Sequence, residues 1–276
     1  MYDDSFKIRY KRAPVAISEN RDGTDTPSHI HAEIELLYIV SGEWRVCVAD
    51  RKYDVGQGDM VIVDPMDVHS LVRLSSVGAS TLCICVDPLL LADANLASEL
   101  ISGDKTVGGY LSGSDACVSE IADYFHKLYS AVEDNLETLR LEAGAYLSLI
   151  FSRLLRLGRI VSRSSRGKKE SFSSKLQDYL SKHYMENITS EDVAQDLFYT
   201  QSYFCRLFKK QFGTSFLEYL SMYRIYLAKA MLENPSAKIA EVAEAVGFMD
   251  SAYFARCFKR LVGISPSEYK KYQYSY

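Results

Sequence analysis

The clearest hydrophobic pattern in the chain is a stripe of apolar side chains that occurs twice in its last third. Spacings of three and four residues place each stripe on one side of an α-helix. The first stripe is Phe204, Leu207 and Phe208, and the second is Phe254, Cys257 and Phe258. A helix-capping residue type precedes each stripe, at Thr200 and Asp250, and a glycine follows it, at Gly213 and Gly263. A short apolar helix upstream of each completes the pattern, which predicts two helix-turn-helix units in tandem.

The opposite side of each predicted helix is small and polar, with one arginine. We predict a DNA-reading surface there, because a major groove admits a helix and arginine can donate two hydrogen bonds to a guanine edge. Basic residues one turn later are placed to neutralise phosphates. The candidates are Thr200, Gln201, Ser202, Cys205, Arg206, Lys209 and Lys210 in the first helix, and Ser251, Ala252, Ala255, Arg256, Lys259 and Arg260 in the second. The alternative is that these polar sides only face solvent. That alternative accounts well for a single helix but less well for two matched copies.

The first half of the chain has the pattern of short β-strands. β-branched and aromatic residues are frequent in residues 35–40, 44–48, 60–63, 71–74 and 81–86, and turn residues such as Gly42, Gly58 and Pro65 separate these runs. Several short strands at this spacing predict a small barrel or jelly roll. Cys83 and Cys85 share one side of the last strand, where we expect them to fill core space.

After the strands the period changes to that of helices. A short helix is expected from Pro88, a longer one after a cap at Ser114 or Asp115, and a third from about residue 136 to residue 160. Residues 216–232 contain no glycine or proline, and they predict one continuous helix between the two helix-turn-helix units.

Charge divides the chain at a polar segment, residues 163–171, that has the composition of a linker. Residues 1–162 carry 15 lysines and arginines against 24 aspartates and glutamates, whereas residues 163–276 carry 17 against 12. An acidic half joined to a basic half is typical of a sensing domain attached to a nucleic-acid-binding domain. We therefore expect domains at residues 1–162 and 172–276. The sequence shows no signal peptide and no membrane-spanning run, so we expect a cytoplasmic protein without a membrane partner.

From about residue 172 to residue 276 the chain resembles the DNA-binding domain of the AraC/XylS family of bacterial transcription regulators. The second unit carries the most specific motifs: Ile239-Ala240, Val242-Ala243, Val246-Gly247-Phe248, Ser251-Ala252-Tyr253-Phe254, Phe258-Lys259-Arg260 and Gly263-Ile264-Ser265-Pro266. The resemblance implies that the helices after Thr200 and Asp250 enter successive major-groove faces, with Arg206 and Arg256 among the base readers. Because Ala252 and Ala255 can reach no more than a thymine methyl group, we expect weaker or shape-based reading by the second unit.

The first half is similar to the cupin barrels that accompany this DNA-binding domain. The first cupin motif is complete, with Gly23, His29, His31, Glu35 and Gly42 at the usual spacing. The second, from Gly58 through Pro65 to His69, is one residue short, and Arg73 stands where asparagine is frequent. The candidate effector pocket consists of His29, His31, Glu35, Tyr38, Arg45 and His69, while Trp44 is expected in the core.

Three imidazoles and a carboxylate form a credible ligand set for a divalent transition metal, so His29, His31, Glu35 and His69 are also candidate metal ligands. The alternatives are that the same residues hydrogen-bond an organic effector or only line the barrel. We predict an α+β protein with two domains. The first is a cupin-like barrel followed by helices, and the second is all α, with two helix-turn-helix units joined by a long helix.

The function expected from these features is a regulator that binds double-stranded promoter DNA, is controlled by a small-molecule effector and acts on RNA polymerase. The resemblance also implies a homodimer formed by the helices after the barrel, and packing within one chain is the alternative. A metal-dependent cupin enzyme with an attached DNA-binding domain is the competing function, although we expect no enzymatic activity.

Overall fold

The computed structural model describes residues 15–21, 23–75, 78–134, 138–162 and 172–273. The chain divides into two compact units, residues 1–166 and residues 167–276. The expected linker, residues 163–171, lies outside the described residues. No helix within the described ranges has both the length and the hydrophobicity that crossing a bilayer requires.

The first unit is built on two antiparallel sheets. Its strands are β1 (Val15–Asn20), β2 (Thr26–His29), β3 (Ile34–Ser41), β4 (Trp44–Val48), β5 (Arg51–Val55), β6 (Met60–Val63), β7 (His69–Arg73), β8 (Ser80–Val86), β9 (Lys105–Thr106), β10 (Gly109–Leu111) and β11 (Val161–Ser162). One sheet has the order β1-β8-β3-β6-β10, the other has the order β2-β7-β4-β5, and β9 pairs with β11. All five predicted strands are present, with ends that differ by at most two residues.

The alternation of side chains along β3 explains how the sheets pack. Leu37 and Ile39 belong to a buried cluster that also takes side chains from β4, β5, β6, β7 and β8, so this cluster fills the space between the two sheets. Leu36 points to the other side, into a second cluster formed with the helices. Trp44 is completely buried between the sheets, as expected from the sequence. The cupin-like barrel is therefore confirmed as two sheets facing each other across one core.

Three helices cover the outer face of the larger sheet: α1 (Ala94–Ser102), α2 (Ala116–Asp134) and α3 (Leu139–Arg156). The sequence did not predict α1. It begins because the Asp93 carboxylate accepts hydrogen bonds from two backbone amides of the first turn. The third predicted helix is shorter than expected, since α3 ends at Arg156 and Gly158 takes the left-handed conformation with φ of 62°.

The second unit is all helical. Its helices are α4 (Phe172–His183), α5 (Ser190–Asp196), α6 (Gln201–Phe212), α7 (Phe216–Leu232), α8 (Ile239–Ala245), α9 (Ser251–Val262) and α10 (Pro266–Gln273). Helices α5 and α6 form the first helix-turn-helix unit, and α8 and α9 form the second. Helix α7 is continuous between them and packs against both α6 and α9, as the uninterrupted sequence predicts.

The predicted helix signals of both units are confirmed. The Thr200 and Asp250 side chains cap α6 and α9, and Gly213 and Gly263 end these helices with φ of 72° and 88°. Phe204 and Phe208 pack within an aromatic cluster that includes Phe216 of α7. The same side of each longer helix therefore anchors it to the domain, and the opposite side is left for function.

Candidate functional site

Helix α6 presents a polar surface that is anchored from behind. Its start is fixed by Thr200, whose hydroxyl accepts a hydrogen bond from the Tyr203 amide at 3.4 Å. The seven candidate DNA-reading residues of this unit, from Thr200 to Lys210, are all exposed. Within the described part of the chain, the Arg206 guanidinium has no hydrogen-bond or ion-pair partner, so it is available to an external acceptor.

Helix α9 repeats this arrangement. The Asp250 carboxylate accepts hydrogen bonds from the amides of Ala252 at 2.7 Å and Tyr253 at 3.3 Å. Five of its six candidate residues are exposed, and Ala255 is half-buried. The Arg256 guanidinium lies over the Tyr253 ring, 5.7 Å from its centroid, which orients the arginine without burying it.

Arg260, a candidate phosphate contact, donates a hydrogen bond to Glu218 of α7 at 3.2 Å. The side chains of this pair are 55% and 39% exposed, and such ion pairs contribute at most about 1 kcal/mol. A phosphate can therefore compete for this guanidinium at little cost.

A second group of polar side chains meets in the first unit, and we call His29, His31, Glu35 and His69 the histidine–glutamate cluster. Glu35 Oε2 lies 2.9 Å from His31 Nε2 and 3.1 Å from His69 Nε2. The ring centroids of His29 and His69 are 4.1 Å apart. One potential ligand atom from each of the four residues lies within 4.8 Å of all the others.

Backbone carbonyls orient the three imidazoles of the cluster. Nδ1 of each ring donates a hydrogen bond to a carbonyl oxygen two residues away, at 2.9 Å for His29, 3.2 Å for His31 and 2.9 Å for His69. With Nδ1 engaged in this way, Nε2 of His31 and of His69 faces Glu35 in the centre of the cluster. Metal-binding histidines are commonly oriented by the same kind of support.

The protonation of the cluster follows from burial and mutual charge. Burial, followed by the charge of His69, lowers the pKa of His29 to about 4, so this ring is neutral at neutral pH. Burial opposes ionisation of Glu35, but the charge of His69 and the hydrogen bonds of His31 and His69 hold its pKa well below the usual value. Burial likewise opposes charging of His31, but its hydrogen bond to Glu35 and the Glu35 charge raise its pKa. Three imidazole nitrogens around one carboxylate are a donor set that fits a divalent transition metal.

Two residues expected in the pocket lie elsewhere. Tyr38 is three positions from Glu35 on β3, so it faces the opposite side of the sheet, where its ring stacks on Phe125 of α2. Arg45 follows the buried Trp44 on β4 and points outward, where its guanidinium forms two hydrogen bonds of 2.7 Å with Asp54. The prediction that Tyr38 and Arg45 line the pocket is therefore wrong.

The sequence interpretation missed the position of two thiols beside the cluster. Cys83 and Cys85 are buried in the core, as expected, but Cys85 Sγ lies 3.8 Å from Glu35 Oε2 and 4.0 Å from His31 Nε2. A hydrogen bond with Cys83, together with burial, raises the pKa of Cys85 well above its usual value. Cys85 lies beside the cluster because it pairs with Glu35 across β3 and β8. Short-range sequence patterns carry no information about this pairing.

The chain matches two family models. Residues 13–150 match an AraC-like ligand binding domain, and residues 193–272 match a helix-turn-helix domain. The chain is 24% identical over 262 residues to the uncharacterized HTH-type transcriptional regulator YdeC of Bacillus subtilis, covering 93% of this chain and 90% of that protein. It is 38% identical over 93 residues to the lactose operon transcription activator of Staphylococcus xylosus, covering 34% of this chain and 33% of the activator.

Among solved structures, ToxT from Vibrio cholerae O395 aligns with 95% of this chain and 99% of its own, at 14% identity and a TM-score of 0.42. The ligand-binding model covers half of the sequence, and the helix-turn-helix model covers both copies of the internal repeat. The chain therefore belongs to the AraC family: it is a helix-turn-helix transcriptional regulator that binds DNA and carries an N-terminal ligand-binding domain.

Proposed function

We propose that this regulator reads promoter DNA with the exposed faces of α6 and α9, placed in successive major-groove faces of one duplex. The observation that carries the proposal is the duplicated architecture. Each helix has a capped start, a buried aromatic side and an exposed arginine at the same position, Arg206 or Arg256. Arginine is the side chain best suited to a guanine edge, and Lys209 and Lys259 are placed for phosphates.

The histidine–glutamate cluster is the proposed effector site, and a divalent transition metal is the ligand that its donor set favours. His29, His31, His69 and Glu35 would hold the ion, which would supply a fixed positive charge for an anionic molecule. We propose that this site binds a signal and does not catalyse a reaction. The alternative function, a metal-dependent enzyme, also requires a bound metal. The metal content of the protein therefore tests both functions.

Full-length protein purified without chelator or nickel resin should contain about one transition-metal ion per chain. His69→Ala should lose this metal, because it removes a nitrogen that lies 3.1 Å from Glu35 in the centre of the cluster. The loss should exceed the roughly 10–100-fold weakening that removal of a supporting hydrogen bond causes. His183→Ala, at a half-exposed histidine of α4, is the matched control and should keep the metal. Metal-free wild type would reject the metal and the enzyme together, leaving an organic effector hydrogen-bonded by the same residues.

Control of transcription requires that the effector bind one arrangement of the chain more tightly than another, since equal affinity shifts no equilibrium. We propose that occupancy of the cluster changes promoter binding and thereby recruitment of RNA polymerase in the cytoplasm. Run-off transcription by purified polymerase from a promoter with a selected binding site should differ between the loaded and the metal-free regulator. Equal transcription from the loaded and the metal-free regulator, at concentrations that leave the promoter partly occupied, would contradict this part of the proposal.

We further propose a homodimer formed through α3. The buried side of α3 packs in the core, but Leu141, Leu149 and Leu155 are 79%, 42% and 47% exposed. These three positions fall on one side of a 3.6-residue helix. Within the described residues these three leucines stay exposed, and a second copy of the chain would cover them.

Leu149→Asp should convert the dimer into a monomer, because it places a charge at the centre of the exposed α3 face. Sedimentation velocity at micromolar concentrations measures the change, which should amount to at least a tenfold weakening of association, or roughly 1.4 kcal/mol. Leu217→Asp is the matched control, since Leu217 is 62% exposed on α7 of the second unit. Wild-type protein that remains monomeric at every concentration would contradict the dimer.

A further inference from the structure

Cys85 is held next to the histidine–glutamate cluster by the backbone of the sheet. Strands β3 and β8 pair so that Cys85 lies directly opposite Glu35, and Cys83 lies opposite Leu37. Both thiols face the core between the sheets. The Cys85 sulfur contacts two members of the cluster, and the Cys83 sulfur lies 3.8 Å from that of Cys85 and within 4.8 Å of a carboxylate oxygen of Glu35. Because β8 is paired on both sides, with β1 and with β3, this position does not depend on a loop.

The distances around Cys85 suit a metal ligand. Zinc holds nitrogen at about 2.0–2.1 Å and thiolate sulfur at about 2.3 Å, and Cys85 would be the fifth ligand beside the four members of the cluster. Neighbouring nitrogen and sulfur ligands of a four- or five-coordinate ion are then separated by roughly 3.1–3.5 Å. Cys85 Sγ lies 4.0 Å from His31 Nε2 and 3.8 Å from Glu35 Oε2. Closing on a shared ion therefore needs shifts of less than about 1 Å, less than a change of rotamer.

A disulfide between Cys83 and Cys85 is a poorer explanation of the thiol pair. Residues two apart on a strand are separated by about 6.8 Å between Cα atoms, which is the upper limit for a disulfide. The bond would also require the sulfurs to approach from 3.8 Å to about 2.0 Å, within a strand paired on both sides. A metal ion bound by Cys85 places no such demand on β8.

We propose that Cys85 is a sulfur ligand of the metal in the histidine–glutamate cluster, and that the site therefore takes thiophilic ions such as Zn²⁺ in preference to Mn²⁺ or Mg²⁺. This inference rests on the proposal that the cluster holds a metal. On coordination the thiol releases its proton to solvent, and a sulfur–metal bond replaces its contact with Glu35. Soft sulfur donors discriminate against manganese and magnesium, which prefer oxygen. The signal that the ligand-binding domain reads would then be the availability of a zinc-like ion.

Cobalt(II) tests the ligand directly, because a cobalt–thiolate bond gives an intense charge-transfer band in the near ultraviolet. The metal-free, full-length chain is titrated with Co²⁺ under anaerobic conditions, and the wild type should show this band with saturation at about one ion per chain. Cys85→Ser should still bind Co²⁺ through the imidazoles and Glu35 but should lose the band. Its preference for Zn²⁺ over Mn²⁺ in competition should fall at least roughly tenfold. Cys47→Ser, at a half-buried thiol of β4 outside the cluster, is the matched control and should keep both properties.

The outcomes separate the two proposals. Wild type that binds no Co²⁺ would overturn the metal site and the sulfur ligand together. Wild type that binds Co²⁺ without the charge-transfer band, or a Cys85→Ser protein that retains it, would overturn the sulfur ligand and leave the metal site intact. Circular dichroism checks that the variants are folded, and Cys85→Ala provides a second test if the serine variant is not.

Discussion

The double variant Arg206→Ala, Arg256→Ala should lose sequence-specific DNA binding while retaining most of its affinity for random DNA. Each arginine that forks onto a guanine contributes roughly 1–3 kcal/mol of discrimination. If the two helices read separate base pairs, the losses add to roughly 2–6 kcal/mol, or about 30-fold to more than about 10,000-fold in specific affinity. The structure supports a large effect because both side chains are exposed on matching positions of α6 and α9.

Fluorescence anisotropy measures this effect on two duplexes, one recovered by selection from a random library with the wild-type protein and one of random sequence. Lys259→Ala is the control for a phosphate contact: it should weaken binding to both duplexes and lower the slope of log affinity against log salt by about one. Arg206→Ala alone should relax one base position. Equal losses on the two duplexes for the double variant would show that these arginines do not read bases.

Gly247→Ala should destabilise the DNA-binding unit by roughly 3 kcal/mol or more, because it combines a strained backbone with a steric conflict. Gly247 has φ of 87°, and a Cβ atom there would lie 2.7 Å from the Tyr184 carbonyl oxygen and 2.9 Å from that of Met185. The same segment is tied to α7 by Arg224, which donates hydrogen bonds to the carbonyls of Tyr184 at 2.7 Å and Glu186 at 2.6 Å. Moving the carbonyls away from alanine would loosen this connection as well.

Hydrogen–deuterium exchange of the α9 amides in the full-length chain measures the effect, since the exchange of buried amides follows the stability of the unit that contains them. Gly158→Ala is the matched control, because Gly158 has φ of 62° but open space around it, and it should cost only about 1–2 kcal/mol in its own unit. If the protection of α9 amides in Gly247→Ala stays within about 1 kcal/mol of that in wild type, the predicted destabilisation is wrong. The loop would then move aside without loss of packing.

Much of the architecture could be predicted from the sequence because its signals are local. The caps at Thr200 and Asp250 and the glycines that end the helices lie directly before and after the apolar stripes. Six strands were missed for the opposite reason. Strands β1, β2, β5 and β10 are edge strands, and β9 and β11 are two-residue strands that pair with each other. Four of the five side chains of β5 lie outside the core. An edge strand has no hydrophobic alternation to reveal it.

The two helix-turn-helix units differ in the residue that forms their turn. Phe198 occupies the position in the first turn that Gly247 occupies in the second, with φ of 61°, and it is 95% exposed. A phenylalanine gives no local sign of a left-handed backbone, so the sequence predicted the turn but not its conformation.

The grouping of the side chains in the proposed effector site was predicted in part. His29, His31, Glu35 and His69 were recognised from their spacing, and the structure brings them together. The errors concern which side of a strand a residue faces and which residues pair between strands. Tyr38 is an odd number of residues from Glu35 and so faces away, while Cys85 is 50 residues from Glu35 in sequence and beside it in the sheet. The orientation of Tyr38 follows from the two-residue period of a strand. The position of Cys85 depends on a long-range strand pairing that no local pattern encodes.

The proposed function requires two helices that read one duplex together, and the sequences that the full-length protein selects from a random library test this directly. We predict two blocks of specified bases whose centres lie about one helical turn apart, roughly 10 base pairs, with the block read by α9 less sharply defined because of Ala252 and Ala255. A single block, or two blocks without a fixed spacing, would contradict the proposal that α6 and α9 act as paired readers of promoter DNA.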